Sequence, residues 1–149
     1  VSLGNSAESD LLKLLFQNTA WANIGNTAGL QPSGAAGSLY VALHTANPGQ
    51  TGNQSTSEAA YTSYARVAVA RSSGGWTITG SNPTTSENAA ATTFPQATGG
   101  GETETYFSVG AQSSGSTEYL WYGALTSSLA VSNNITPSFA INALQCTMQ

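Results

Sequence analysis

Few residues in this chain could do chemistry. It has one histidine, His44, one cysteine, Cys146, one aspartate, Asp10, six glutamates and three basic residues, Lys13, Arg66 and Arg71. A Ser-His-acid triad would have to run through His44. With 20 Ser and 19 Thr in 149 residues, a hydroxyl close to His44 carries no information. His44 ends an apolar run beside a turn, and a structural role is expected of it. A zinc or iron site needs several His or Cys ligands, and one of each is too few. Glu102 and Glu104 follow three glycines, and on a strand their spacing of two puts both carboxylates on one face about 7 Å apart. Such a pair could serve a calcium ion or glycosidase-like acid chemistry. The same spacing is common on solvated strands, which is the reading adopted. The glycine runs at 74–75 and 99–101 lack the Lys, Ser or following helix of a phosphate cradle. No catalytic residue, no cofactor and no metal site are expected.

The elements that would position any site are mostly strands. In LYVALH, residues 39–44, Leu39, Val41 and Leu43 share one face. In YTSYARVAVAR, residues 61–71, Ala65, Val67 and Val69 do the same. The connection from Thr45 to Ala60 bends at Asn47, Pro48, Gly49 and Gly52 and has too little apolar surface to pack, so it is expected at the surface. Trp76–Thr79 reads as a short strand between turns, and Asn88 to Phe94 as a strand of small residues. From Glu102 to Val109 the core face is expected to be Thr103, Thr105, Phe107 and Val109. From Thr117 to Leu125 both faces are apolar, so this strand is expected to be central or to lie in an interface, with Trp121 and Tyr122 as anchors. Leu129–Val131, Ile135–Ala140 and Ala143–Met148 close the chain, and Cys146 is expected to be a small buried side chain.

One helix precedes them. Asn5 or Ser6 is placed to cap it, with Glu8 and Asp10 in its first turn. Leu11, Leu14 and Leu15, with Leu12 and Phe16 one step round, form a broad apolar stripe. The stripe requires a cover, either the domain's own sheet or a neighbouring subunit. The expected architecture is therefore mainly β, an antiparallel two-sheet sandwich of jelly-roll type or a related barrel, with one N-terminal α-helix. Residues 1–37 read as helix and connecting arm, and residues 38–149 as a single β-sandwich domain.

Charged residues are only 7% of the chain, and the net charge is −4. A hydroxyl-rich, weakly charged surface loses little solvation when a partner covers it, which favours permanent assembly. Three basic residues are too few to neutralise a nucleic acid backbone, so no nucleic acid partner is expected. No apolar run reaches 18 residues and the opening residues lack a signal-peptide pattern, so no membrane role is expected.

The segments LYVALHTANPGQTG, YTSYARVAVAR and YGALTSSLAVSNNITPSFAINAL resemble a family of small tailed-bacteriophage virion proteins, labelled both tail-fibre-like and capsid cement proteins. The resemblance covers most of the chain and implies a β-rich structural subunit without catalysis. The chain has no heptads and no collagen-like repeat, which weighs towards a compact decorating protein. The expectation is thus a capsid cement or decoration protein on the outer surface of the virion, assembled in the bacterial host cytoplasm. It would bridge subunits of the major capsid protein as a dimer or trimer. The alternative is a tail-fibre-like component that recognises host-surface carbohydrate. Contacts are expected through Leu11, Leu12, Leu15 and Phe16, the arm beginning at Val1, the loop at Asn47, Pro48 and Gly49, and Trp121 and Tyr122.

Overall fold

The computed structural model describes residues 3–148, so Val1, named with the expected arm, lies outside it. The described residues form one helix, α1 (Asn5–Gln17), and nine strands: β1 (Ser38–His44), β2 (Val67–Ala70), β3 (Trp76–Thr79), β4 (Thr84–Asn88), β5 (Thr92–Thr93), β6 (Glu102–Gly110), β7 (Tyr119–Val131), β8 (Ser138–Phe139) and β9 (Gln145–Met148). They pair into sheets ordered β2-β1-β6-β7, β3-β4-β9 and β5-β8. The fold is mainly β with antiparallel sheets and one N-terminal helix, as the patterning required. The strand pairing does not establish a jelly roll.

The chain divides into two compact units built from interleaved segments. The first holds residues 3–38, 70–91 and 139–148. Here α1 lays Leu12 and Phe16, both fully buried, towards β3 and β4, and the Phe16 ring meets Trp76 edge to face at 4.8 Å. Burying two such side chains contributes on the order of 3–6 kcal/mol. The helix starts at Asn5 behind Gly4, with no side-chain cap, so neither Asn5 nor Ser6 plays the expected capping role. Glu8 is drawn inward instead, where its Oε2 accepts a hydrogen bond from Thr84 Oγ1 at 3.1 Å. Asp10 lies beyond the first turn and pairs with Lys13 at 3.7 Å. At the other end Asn18 adopts the left-handed conformation that stops a helix (φ 54). The Arg71 guanidinium donates to the Leu15 and Leu14 carbonyls at 2.6 and 2.8 Å, groups the helix itself leaves without partners.

The middle strand of this unit's sheet, β4, corrects the sequence reading. A strand was expected over Asn88 to Phe94, whereas the pairing runs over TTSEN, with Thr84, Ser86 and Asn88 inward. Asn88 explains why the strand ends there. Its Nδ2 donates to the Ala90 and Ala140 carbonyls and its Oδ1 accepts from the Leu144 N–H, so the chain turns away on side-chain hydrogen bonds. Cys146 is buried on β9, and burial pushes its thiol pKa up.

The second unit holds residues 39–69 and 92–138. β1 and β6 run antiparallel with Val41 opposite Val109 and Leu43 opposite Phe107. Leu39, Val41 and Leu43 are buried as the alternation required, and so are Ala42 and His44, so the strand end is covered on both faces. Downstream the expectation fails in an informative way. The second strand is only Val67–Ala70, in which Val67 and Val69 are the more buried positions as expected, but before it Arg66 is buried and Ala65 exposed, the reverse of the expected facing. The residues before it form turns, with Ser63 at φ 82, which breaks the alternation assumed across 61–71. On β6, Glu104 is buried and Thr103 exposed, again reversed, because register shifts after Glu104 interrupt the pairing with β7. β7 itself is one 13-residue strand, taking in the expected separate strand at Leu129–Val131, and it forms the edge of its sheet.

Candidate functional site

Under the loops of the second unit lies a buried polar cluster centred on Arg66. Its guanidinium grips Glu58 bidentately, Nε to Oε1 at 2.6 Å and Nη2 to Oε2 at 2.8 Å. The same group donates to the Gln112 carbonyl at 3.1 Å and the Gly115 carbonyl at 2.8 Å, tying the 112–117 turn to the 53–58 loop. Tyr64 OH donates to Glu58 at 3.1 Å, and burial followed by that carboxylate pushes the phenol pKa up. Gln54, expected in a surface loop, is fully buried. Its Oε1 accepts from Arg66 Nη1 and Thr117 Oγ1, both at 3.2 Å, while its Nε2 donates to the Tyr40 carbonyl at 3.0 Å and to Ser108 Oγ at 3.4 Å. These partners fix the orientation of the carboxamide. Gly110 makes room for it, since a Cβ there would stand 2.2 Å from Gln54 Cδ.

His44 completes the cluster. Its Nδ1–H donates to the Thr56 carbonyl at 2.9 Å, so Nε2 is the acceptor for the Ser108 hydroxyl at 2.8 Å. Burial lowers the His44 pKa, keeping the imidazole neutral. This is a Ser-His pair in hydrogen-bonding geometry, but a backbone carbonyl stands where a triad has its acid, and both residues are fully buried. No outside substrate reaches it. Cysteine and histidine counts could not reveal the pair, because Ser108 is one of 20 serines.

The Glu102/Glu104 pair is not a solvated face. Glu102 Oε1 accepts from the Ala60 and Tyr61 N–H groups, each at 2.7 Å, and so fastens the loop to β6. Glu104 is fully buried, and no protein donor reaches its carboxyl oxygens. Burial first, then the neighbouring Glu102 carboxylate, pushes the Glu104 pKa up to about 8, so at neutral pH it keeps its proton. Tyr61, whose hydroxyl donates to the Pro95 carbonyl, is raised to about 12 by its own burial and by both glutamates. A calcium ion or an acid pair would need both carboxylates open to water, and Glu104 is not. Among the described residues no group of three or more His, Cys, Asp or Glu could hold a metal ion.

The accessible features lie along β7 and the loop beside it. Tyr119, Trp121 and Tyr122 are half-buried, Leu120 is 36% exposed, and no residue from Tyr119 to Val131 is charged. The Tyr119 and Tyr122 rings stand 5.1 Å apart. Tyr119 OH donates to the Gly49 carbonyl, which brings the loop of Asn47, Pro48 and Gly49 to the face of β7 that holds Tyr122, whereas Trp121, opposite Val109, lies on the other face. Asn47 is exposed and folds the loop by accepting from the Gly49 N–H at 2.9 Å, whereas Pro48 is buried. A shallow pocket of about 320 Å³ opens nearby over the Arg66 cluster, walled by Glu58, Tyr64, Ser113, Ser114 and Gly115. In the other unit Leu12 and Phe16 are core residues, and Leu11 and Leu15 are half-buried.

Comparison with known proteins names the role. No curated protein matches the sequence. The family described as Podophage GP4 fiber I protein gp80 matches residues 2–147. That match is to a fibre family and not to capsid cement, which corrects the cement reading in favour of its fibre alternative. The absence of heptads argued only against a fibrous shaft, and a compact fibre subunit needs none. Matched over nearly all its length, this structural, non-enzymatic phage virion protein belongs to the podophage GP4 fiber I protein gp80 family.

Proposed function

We propose that the chain is a tail-fibre subunit whose β7 surface and adjoining loop contact carbohydrate on the host cell. The observation that carries this reading is the pair of half-exposed aromatic rings, Tyr119 and Tyr122, side by side on one face of a strand without charge. Aromatic faces stack on the apolar faces of sugar rings while phenol and indole edges reach their hydroxyls. The pocket beside the cluster supplies Ser113 and Ser114 hydroxyls and the Glu58 carboxylate as hydrogen-bonding groups. The buried Arg66 cluster holds the loops in place, as a rigid scaffold does for binding loops generally. The test is binding of the purified chain to host surface polysaccharide, with Tyr119→Ala and Tyr122→Ala. Loss of binding in folded variants is expected, and unchanged binding would remove the carbohydrate role.

The edge position of β7 favours a second role for the same strand, assembly into a homo-oligomer. An open edge with no charged residue lacks the usual devices that keep strands from pairing between molecules. Light scattering of the parent and of Ala124→Lys checks this. A parent dimer or trimer that dissociates in the variant is expected, and a monomeric parent would sink it.

A further inference from the structure

The Ser-His pair is sealed from solvent, so the only electrophile within its reach belongs to the chain itself. Ser108 Oγ is hydrogen-bonded to His44 Nε2 at 2.8 Å, and the Gln54 carboxamide approaches the same oxygen, its Nε2 at 3.4 Å. We propose that Ser108 attacks Gln54 and joins β6 to the 53–58 loop through an intramolecular ester, with release of ammonia. Each part that such an acyl transfer needs is present. His44 is held as the Nδ1–H tautomer by Thr56, leaving Nε2 free to take the serine proton. Its lowered pKa suits a neutral base. Arg66 Nη1 and Thr117 Oγ1 both point at Gln54 Oε1, the atom on which negative charge develops. Gly110, lacking a Cβ, lets the carboxamide lie directly against β6 beside the Ser108 hydroxyl.

The step balances without another reactant. As the proton passes from Oγ to His44 Nε2, the oxygen forms a bond to Gln54 Cδ and the carbonyl electrons move to Oε1. When they return, the Cδ–Nε2 bond breaks and the leaving nitrogen takes the proton back from His44. The products are an ester and ammonia, and the imidazole is restored. Ammonia escapes to bulk water and is protonated there, while burial protects the ester from hydrolysis. Holding both groups within one folded unit supplies the high effective concentration that an unactivated amide requires.

Mass spectrometry of the intact, folded chain after incubation at neutral pH tests the inference. The expected mass is about 17 Da below that of the sequence, the loss of one ammonia per ester. Trypsin cuts after Lys13, Arg66 and Arg71, so Gln54 falls in residues 14–66 and Ser108 in residues 72–149. A digest of the denatured protein should contain these two peptides as one species, separated by hydroxylamine. Ser108→Ala should restore the full mass. A folded parent at full mass overturns the proposal, and so does a deficit that persists in Ser108→Ala or leaves the two peptides unlinked. If Ser108→Ala does not fold, the peptide map of the parent decides by itself.

Discussion

The two units bury polar side chains in different ways. In the second, Arg66, Gln54, His44 and Ser108 are all hydrogen-bonded, and each joins segments distant in sequence. In the first, β4 also turns a polar face inward, yet Ser86 Oγ and Trp76 Nε1 are buried without hydrogen bonds, while Asn88 beside them makes three. A buried polar group counts for stability through its partners, not through its burial. The second unit also contains an exception to its own pattern in Glu104.

The largest effect should follow from breaking the satisfied cluster. Arg66→Met leaves Glu58 without its counter-ion and frees the 112–117 turn, and it should cost about 3–5 kcal/mol in a denaturant titration. A loss below about 1 kcal/mol would show that the cluster is not what holds these loops.

Glu104→Gln tests the exception. Its carboxyl has a raised pKa of about 8 in the folded chain, against an ordinary 4.5. Between those values the unfolded chain has released a proton that the folded chain retains, so stability falls as pH rises through that window. Glu104→Gln should abolish this slope and be more stable than the parent by about 1–3 kcal/mol near pH 8. Parallel melting curves for the two proteins from pH 5 to about pH 8 would show that Glu104 ionises normally.

Within the first unit, Asn88→Ala should cost about 1–3 kcal/mol because it removes three hydrogen bonds and leaves the Leu144 N–H and the Ala90 carbonyl without their side-chain partner. Ser86→Ala, one pleat away on the same face, should change stability by no more than about 0.5 kcal/mol, since no hydrogen bond is lost. Equal losses in these two variants would erase the distinction between the partnered and unpartnered positions.

Where polar residues face inward, the sequence is hard to read. β1 was legible because Leu39, Val41 and Leu43 alternate against a sheet, and α1 because its leucines fall on one stripe. β4 was not, since Thr84, Ser86 and Asn88 look like surface residues until their partners are known. The same blindness hid Gln54, Arg66 and Glu104, whose burial depends on residues such as Thr117, Gly115 and Glu102 that are remote in sequence or carry no apolar signal. β7 was legible as a strand with two apolar faces. Its place at the edge was not, because edge or centre is decided by pairing order, and pairing order leaves no periodic trace. Of the candidate contact residues, the patterning singled out Trp121 and Tyr122 but could not bring the Asn47 loop to the Tyr122 face, a link made by the Tyr119 hydroxyl.

The interleaving of the two units sets an order of events during synthesis. β4 pairs with β9, so Thr84 waits for Met148 and the first unit's sheet cannot close until residues 145–148 leave the ribosome. By then both segments of the second unit, ending at residue 138, have already been made. A ribosome elongates at roughly 5–20 residues per second, which gives the second unit a head start of about 0.5–2 seconds. The second unit can therefore be complete before the first, in which α1 meets β3 and β4 early and waits only for the strand that closes their sheet.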